Sequence, residues 1–273
     1  MTSAPPPSRK TTFRFDLPLS LGEENARVRA GKLERYLGEA LGRRVEVQVA
    51  ANYEQLTKDV LSGRTDAAWA PPFVCARVEA MAARALARGV RKGSSTYRSA
   101  LVCLKGNAFS LETLSGGSVA WVDKDSVAGY LLPLALIKSQ KLDPSRMFFA
   151  QTFAGSYRAA LDLLCSGKVD LAAVFAPPAN VKDGPETGAD DVIPGCAEKL
   201  RVLAFTEESP NDGVVLSPSA EPAAVLLLEK TLLTLGQTAE GRALLAEVFS
   251  VDRFEPAPRM GYRALYRVAM ASL

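Results

Sequence analysis

The chain has 273 residues, 48% hydrophobic and 23% charged, with 33 Lys and Arg against 30 Asp and Glu and no histidine. That length and composition suit a soluble globular protein of one large domain or two medium lobes, with a full core. A net charge of +3 makes no electrostatic case for nucleic acid, and the missing histidine excludes Ser-His-Asp and Cys-His catalysis, His-Glu-x-x-His zinc sites and a histidine base.

Residues 1–10 are polar and Pro-rich and read as a disordered tail. They lack the basic, apolar and small-residue regions of a signal peptide, which reads as cytoplasmic. A chain whose signal had been cleaved would look the same. No uncharged apolar run reaches the roughly 18–20 residues of a membrane span. Thr11–Leu17 reads as a strand and Pro18–Gly22 as a turn. Glu24–Leu41 is an amphipathic helix, with Ala26, Ala30, Leu33, Leu37 and Leu41 on one face. Gly42 closes it. Val45–Val49 alternates as a strand, and Asn52 caps a helix from Tyr53 to Leu61. Ala67–Ala70 is a short buried strand, and Pro71-Pro72 opens a helix to about Ala83. The pattern restarts with a strand at Arg98–Lys105. Strands follow at Ser118–Val122, Met147–Thr152 and Val169–Phe175, with helices at Ser126–Ser139 and Ser156–Cys165. A loop spans 179–197. Leu200–Phe205 and Gly213–Leu216 are strands; Glu221–Leu235, Ala239–Phe249 and Tyr262–Ala271 read as helices. Alternating β and α predicts parallel sheets covered by helices.

The four cysteines, Cys75, Cys103, Cys165 and Cys196, form no C-x-x-C pair, which argues against zinc or an iron–sulfur cluster. The first three sit in apolar strings and read as buried free thiols. Cys196 follows Pro194-Gly195 in a loop and could pair or react.

An internal repeat is the most informative feature. Tyr53 precedes Ser62-Gly63-Arg64-Thr65-Asp66 by nine residues, and Tyr157 precedes Ser166-Gly167-Lys168-Val169-Asp170 by the same nine. A capping residue stands before each Tyr, Asn52 or Ser156. A small-residue strand and a Pro-Pro pair end each copy, at Ala70-Pro71-Pro72 and Ala176-Pro177-Pro178. The offset from Tyr to Tyr is 104 residues. The plainer reading, a helix end leading to a strand, explains the Gly and Asp but not the matched Tyr and Pro-Pro. Two βαβαβ lobes of one plan are expected.

Ligands of open α/β sheets bind at the carboxyl ends of the strands, where helices begin. Helix starts near Glu23, Tyr53, Phe73, Ser126 and Tyr157 are expected to converge on a cleft between the lobes. Their N–H groups and dipoles make an anion site without Lys or Arg. Tyr53, Tyr97, Ser126 and Tyr157 supply hydroxyls. Each has a plainer reading: staple or core contact for Tyr53 and Tyr157, sheet packing for Tyr97, simple N-cap for Ser126. Trp69 and Trp121 end strands and are candidates to wall the cleft, core packing being the plainer reading.

Several segments resemble the solute-binding proteins of phosphate, phosphite and phosphonate ABC importers. They are Ala67-Ala68-Trp69-Ala70-Pro71-Pro72, Tyr97-Arg98-Ser99-Ala100-Leu101-Val102, Val119 through Tyr130, Phe153-Ala154-Gly155-Ser156-Tyr157, and Pro210 through Val215. The resemblance runs from about Thr12 to the C-terminus. It implies a two-lobed periplasmic-binding-protein-like α/β fold, each lobe a mostly parallel sheet flanked by helices, hinged by crossing strands near 98–105 and 200–216. By that analogy lobe I is 11–97 plus 217–273, and lobe II is 98–216. It also implies a small oxyanion ligand, a membrane permease as partner, a periplasmic location, no cofactor and no catalysis by a monomeric binding protein. Among the family's ligand residues, Tyr53, Tyr97 and Ser126 match. The next hydroxyl positions are Val127 and Ala128 here, and a frequent His is Tyr157. No acidic residue for an aminoalkyl group is evident around Phe175–Pro178.

Two other readings stand beside the importer component. One is a cytoplasmic ligand sensor on the same fold. The other is an enzyme on small organic acids, with Asp123 or Asp125 as base. No G-x-G-x-x-G or Walker A motif supports nucleotide binding. With no histidine, capture should rest on dipoles and hydroxyls, and its pH profile should follow the ligand's own ionisation.

Overall fold

The structure is a computed structural model that describes residues 11–18, 23–181, 184–257, 261–263 and 265. The expected tail at 1–10, most of the turn before Glu23 and most of the helix expected at 262–271 lie outside the described residues. In chain order the elements are β1 (Thr12–Pro18), α1 (Glu23–Leu41), β2 (Arg44–Ala50), α2 (Tyr53–Ser62), β3 (Ala67–Ala70), α3 (Pro72–Ala80), β4 (Arg84–Val90), β5 (Thr96–Leu104) and β6 (Gly117–Trp121). A π-turn (Val127–Leu131) then runs into α4 (Leu132–Ser139). After it come α5 (Pro144–Met147), β7 (Phe148–Phe153), α6 (Tyr157–Cys165), β8 (Leu171–Ala176), α7 (Ala189–Val192), β9 (Leu200–Phe205), β10 (Ser209–Pro210) and β11 (Gly213–Leu216). The last of these elements among the described residues are α8 (Pro222–Thr234), α9 (Ala239–Leu244) and β12 (Arg253–Pro256). Among the described residues no helix is long and apolar enough to cross a membrane.

These elements fall into two units, Met1–Gly93 with Asp212–Arg263, and Ser94–Asn211 with Ala264–Leu273. The boundaries differ by a few residues from those expected at 97/98 and 216/217. Strand pairing explains the difference. β11 lies antiparallel between β3 and β4, so it belongs to unit 1. β5 begins at Thr96 against Pro210 of β10 and pairs with β9 at its other end, so all three belong to unit 2.

Unit 1 holds a six-stranded sheet in the order β12-β4-β11-β3-β1-β2, with β1 parallel to both β2 and β3. Alternation along β1 sends Phe13, Phe15 and Leu17 into one core, where Leu33, Leu37 and Leu41 of α1 and Trp69 of β3 meet them. Burying each such side chain contributes about 1.5–3 kcal/mol. Asp16 takes the other face and neighbours Asp59 of α2, whose Leu56 and Val60 are buried outside the first core. So α1 and α2 cover opposite faces. β4 and β12 were not expected from the sequence; β4 carries Arg84 and Arg88, and the Arg88 charge is met by Glu255 of β12 at 2.6 Å.

Unit 2 has the order β10-β5-β8-β6-β7, with β9 also on β5. Here β6 is the central strand, parallel to β7 on one side and β8 on the other. Val119, Trp121, Leu171 and Ala173 pack with Ile137 of α4. Ala120, Ala172 and Val174 pack with Ala160, Leu161 and Leu164 of α6 on the opposite face. The roles of β1, β2 and β3 are thus taken by β6, β7 and β8.

The repeat persists at the level of atoms. Asp66 N–H donates to the Arg14 carbonyl at 2.9 Å, and Asp66 Oδ2 accepts the Arg14 N–H at 2.9 Å. Asp170 N–H donates to the Ser118 carbonyl at 3.0 Å, and Asp170 Oδ2 accepts the Ser118 N–H at 2.8 Å. Arg14 and Ser118 are the same 104 residues apart as Asp66 and Asp170. In each unit one carboxylate ties the helix end to the start of the central strand, by hydrogen bonds of the charge-assisted kind that contribute about 1.5–3 kcal/mol. Gly63 and Gly167 turn the chain out of α2 and α6 at φ 74° and 70°, where a Cβ would be strained.

Asp16 is 5% exposed, and its carboxyl is pushed up to about 6. Burial is the main cause and the Asp59 carboxylate adds to it, while the Thr65 hydroxyl and the Arg14 and Arg64 guanidiniums offset part. Between the ordinary carboxyl pKa and about 6 the folded chain holds a proton that the unfolded chain releases. The contribution to stability is therefore fully present below that window and lost as pH rises through it, by up to about 3 kcal/mol. We expect Asp16→Asn to raise the melting temperature at pH 7.5, with the gain shrinking to nothing near pH 4. Melts of both proteins across pH 4–8 check this, and a gain independent of pH would reject it.

Candidate functional site

Adjacent parallel strands whose connections leave for opposite faces open a crevice at their carboxyl ends. In unit 2 that point lies between β6, which leads to α4, and β7, which leads to α6. The two loops are hydrogen-bonded there: Ala154 N–H to the Trp121 carbonyl and Gly155 N–H to the Val122 carbonyl, both 2.8 Å. Ser126 stands on one lip and Tyr157 on the other. β5 runs antiparallel to β8 with Arg98 opposite Ala176, so Tyr97 lies at the same end of the sheet. Unit 1 has its corresponding point between β1 and β2, where Tyr53 opens α2.

Each helix start is held by its cap. Asn52 Oδ1 accepts the Gln55 N–H at 2.8 Å, Ser156 Oγ accepts the Ala159 N–H at 3.1 Å, and Ser126 Oγ accepts the Gly129 N–H at 3.1 Å. A hydroxyl that accepts in a cap still carries its own hydrogen to donate. Tyr53, Tyr97 and Tyr157 are half-buried. The Tyr157 ring stands edge-on to Phe175, 5.3 Å between centroids, which fixes the start of α6 on the sheet.

The start of α4 is unusual. Pro133 has no N–H, so it cannot serve Gly129 in an α pattern or Ala128 in a π pattern. Leu131 N–H donates to the Ser126 carbonyl at 3.0 Å, and Leu132 N–H reaches back to Val127. The two orphaned carbonyls are served by β5 and by the residue that follows β6. The Ser99 hydroxyl of β5, fully buried, donates to Ala128, and Val122 N–H donates to Gly129 at 3.2 Å. Gly129 is required there, since a Cβ would lie 2.5 Å from Val122 and 2.7 Å from Ser126 Oγ. Ser99 was passed over in the sequence because a serine in an apolar strand carries no pattern of its own. The pointer was available in Gly129 and Pro133, four residues apart.

For Trp69 and Trp121 the plainer reading, core packing, is the one seen: both are buried, at 2% and 0% exposure. Strand alternation turns them inward, Trp69 against Phe249 and Phe254, Trp121 against Tyr130 and Phe148 with its Nε1 donating to Gln151. Cys165, expected among the buried thiols, is partly exposed, while Cys196 lies in a loop as expected, with its side chain buried. The side chains of Val127 and Ala128 are buried too, which leaves only their backbones facing the helix start. Beside that start the sequence reading overlooked Lys124. It is exposed, with Nζ 5.7 Å from the ring centre of Phe153 at the end of β7. Asp123 Oδ1 accepts the Asp125 N–H at 2.8 Å and is committed to the turn.

Ser99→Ala strands the buried Ala128 carbonyl, and we expect it to lower the unfolding free energy by about 1–3 kcal/mol. Thr96→Ala, which removes an exposed hydrogen bond to Glu208 on the same strand, should cost less than about 1 kcal/mol. Urea unfolding of both variants checks the contrast; equal losses would mean Ser99 does not carry the helix start.

Comparison with known proteins follows the same lines. No functionally curated protein matches the sequence. Solved structures do match. XAC2383 of Xanthomonas citri, bound to chloride, superposes with a TM-score of 0.80 at 18% identity over 96% of this chain and 98% of that one. A binding protein component of an ABC phosphonate transporter from Pseudomonas aeruginosa gives 0.75 at 18% identity over 96% and 86%. PhnD1 of Prochlorococcus marinus, in complex with methylphosphonate, gives 0.76 at 17% identity over 96% and 98%. At such identities these likenesses show the fold. The family model described as ABC transporter, phosphonate, periplasmic substrate-binding protein matches residues 20–262. The chain therefore belongs to the family of periplasmic substrate-binding proteins of phosphonate ABC transporters.

Proposed function

We propose that this protein binds a small tetrahedral oxyanion, phosphate, phosphite or an alkylphosphonate, and delivers it to a membrane permease from the periplasm. The observation that carries the reading is the repeated, capped helix start at the switch point of each sheet. Tyr53 opens α2 in unit 1, and Tyr157 opens α6 beside the Ser126 start in unit 2. Backbone N–H groups and hydroxyls at such starts donate to an oxyanion without a paired cation. We assign Tyr53, Tyr97, Ser126 and Tyr157 as hydroxyl donors and Val127 and Ala128 as backbone donors. Trp69 and Trp121 have no part in it. The role is binding rather than turnover: the chain has no histidine, and the Asp123 carboxylate is spent in the turn before Ser126. Phe175–Pro178 offers no acidic side chain to meet an aminoalkyl group, which disfavours 2-aminoethylphosphonate.

Isothermal titration of phosphate, phosphite, methylphosphonate, 2-aminoethylphosphonate and ATP tests this. Heat with one of the first three, and little with 2-aminoethylphosphonate, is expected. ATP belongs in the set because XAC2383 has also been solved with it. Silence from every phosphorus oxyanion would reject the reading. Tyr157→Phe and Tyr53→Phe should each weaken the bound oxyanion about 10- to 100-fold, the loss of one hydrogen bond to a charged group. Affinity for methylphosphonate between pH 5 and 9 should track the ligand's own ionisation, because no imidazole titrates in the chain. An extra protein step near pH 6.5 that persists in Asp16→Asn, whose carboxyl otherwise titrates at about 6, would contradict this.

A further inference from the structure

In unit 2 the sulfur atoms of Cys165 and Cys196 lie 3.1 Å apart, although 31 residues separate them in sequence. Cys165 ends α6, and Cys196 sits in the turn after α7. We propose that these two residues form a disulfide, by exchange with an oxidising disulfide of the periplasm. The contact is closer than two unbonded sulfurs normally approach, and about 1 Å of movement brings it to a covalent S–S bond. The surroundings hold the second cysteine in place. Cys196 N–H donates to the Ile193 carbonyl and its own carbonyl accepts the Lys199 N–H, both at 3.0 Å, and Asp190 Oδ1 accepts the next N–H, of Ala197, at 2.8 Å. No third metal-binding side chain joins the pair: among the described residues no cluster of three or more His, Cys, Asp or Glu is placed to hold a metal. The other two thiols provide internal controls. Cys75 and Cys103 are fully buried, and Cys75 Sγ is directed at the Ala70 carbonyl.

Access and acidity set the order of events. Cys165 is partly exposed, while Cys196 is buried and its thiol is pushed up to about 12, by burial first and by Cys165 second. Cys165 therefore meets the oxidant. Its thiolate attacks one sulfur of the oxidising disulfide, forms a mixed disulfide and releases one thiol. Cys196 gives up its proton and attacks Cys165 Sγ, releasing the second thiol. The protein loses two protons and two electrons, and the oxidant gains them. The compartment fits, since the family is periplasmic and disulfides form and persist there.

The bond would close a ring that includes β8 and the whole segment 177–195. Gly188 in that segment packs on Phe175, so tightly that a Cβ would lie 1.9 Å from the ring, and Phe175 carries Tyr157. The disulfide thus braces α6 at the end opposite its ligand-facing start. A ring of this size should raise the melting temperature by roughly 5–10 °C.

The test uses the full chain and needs no ligand, so its outcome is separate from the oxyanion assignment. The protein is treated with oxidised glutathione or with dithiothreitol, denatured, and its thiols counted and mapped. After oxidation, two of the four thiols should be lost, and a tryptic digest should yield peptide 159–168 joined to 183–199. The oxidised form should melt higher, and oxidation of Cys165→Ser or Cys196→Ala should not raise the melting temperature. If either variant fails to fold, the map of the natural chain still decides. Four free thiols after excess oxidant, or a persistent glutathione adduct on Cys165 with no joined peptide, would overturn the proposal.

Discussion

Pro133 withholds a hydrogen-bond donor four residues beyond Gly129, and the start of α4 depends on how that omission is repaired. A helix in water could leave the two carbonyls to solvent. Here the turn is buried, so each needs a partner within the protein. Ser99 of β5 and Val122, just beyond β6, supply both, through a hydroxyl and an N–H. The result is a helix start that is hydrogen-bonded to β5 and to the end of β6 rather than merely packed on them. An anion site built from backbone N–H groups needs that rigidity, because a dipole aimed even slightly wrong forfeits most of its advantage.

The same economy governs the duplicated plan. Each unit is a central strand with an edge strand on one side and a returning strand on the other. In each, one aspartate makes a two-way bond to the first residues of the central strand. These bonds lie at the amino ends of the strands. They stabilise the end of the sheet away from the helix starts, which leaves Tyr53 and Tyr157 at the opposite end, where α2 and α6 begin.

Much of this was legible in the sequence where the chemistry is local. Asn52 and Ser156 announce caps, Gly63 and Gly167 announce left-handed turns, and Asp66 and Asp170 complete a spacing that only a repeat explains. What was not legible depends on distant partners. β4 looks unlike a strand because Arg84 and Arg88 interrupt its apolar residues, and only Glu255 on a strand far along the chain makes Arg88 acceptable there. Trp69 and Trp121 end strands near the expected site. Their inward direction follows from alternation against cores that a single segment does not reveal. The exposure of Cys165 and the burial of Cys196 were hidden for a similar reason. An apolar string does not say which of its members lies at a helix end, and a loop does not say how deeply it is folded under.

Strand order carries one further consequence, for how the chain is made. The sheet of unit 2 is complete once residue 210 exists, whereas the sheet of unit 1 still lacks β11 and β12. β11 is no edge strand; it fills the gap between β3 and β4. During synthesis from the amino end, the first unit to begin is therefore the last to close. β3 and β4 wait with open edges while the intervening 118 residues, Ser94–Asn211, fold into a unit of their own. An exposed edge of that kind is where a nascent chain pairs with the wrong partner. That exposure belongs to unit 1; Leu216 closes the gap between β3 and β4, and the outer edge of β4 stays open until Pro256 completes β12.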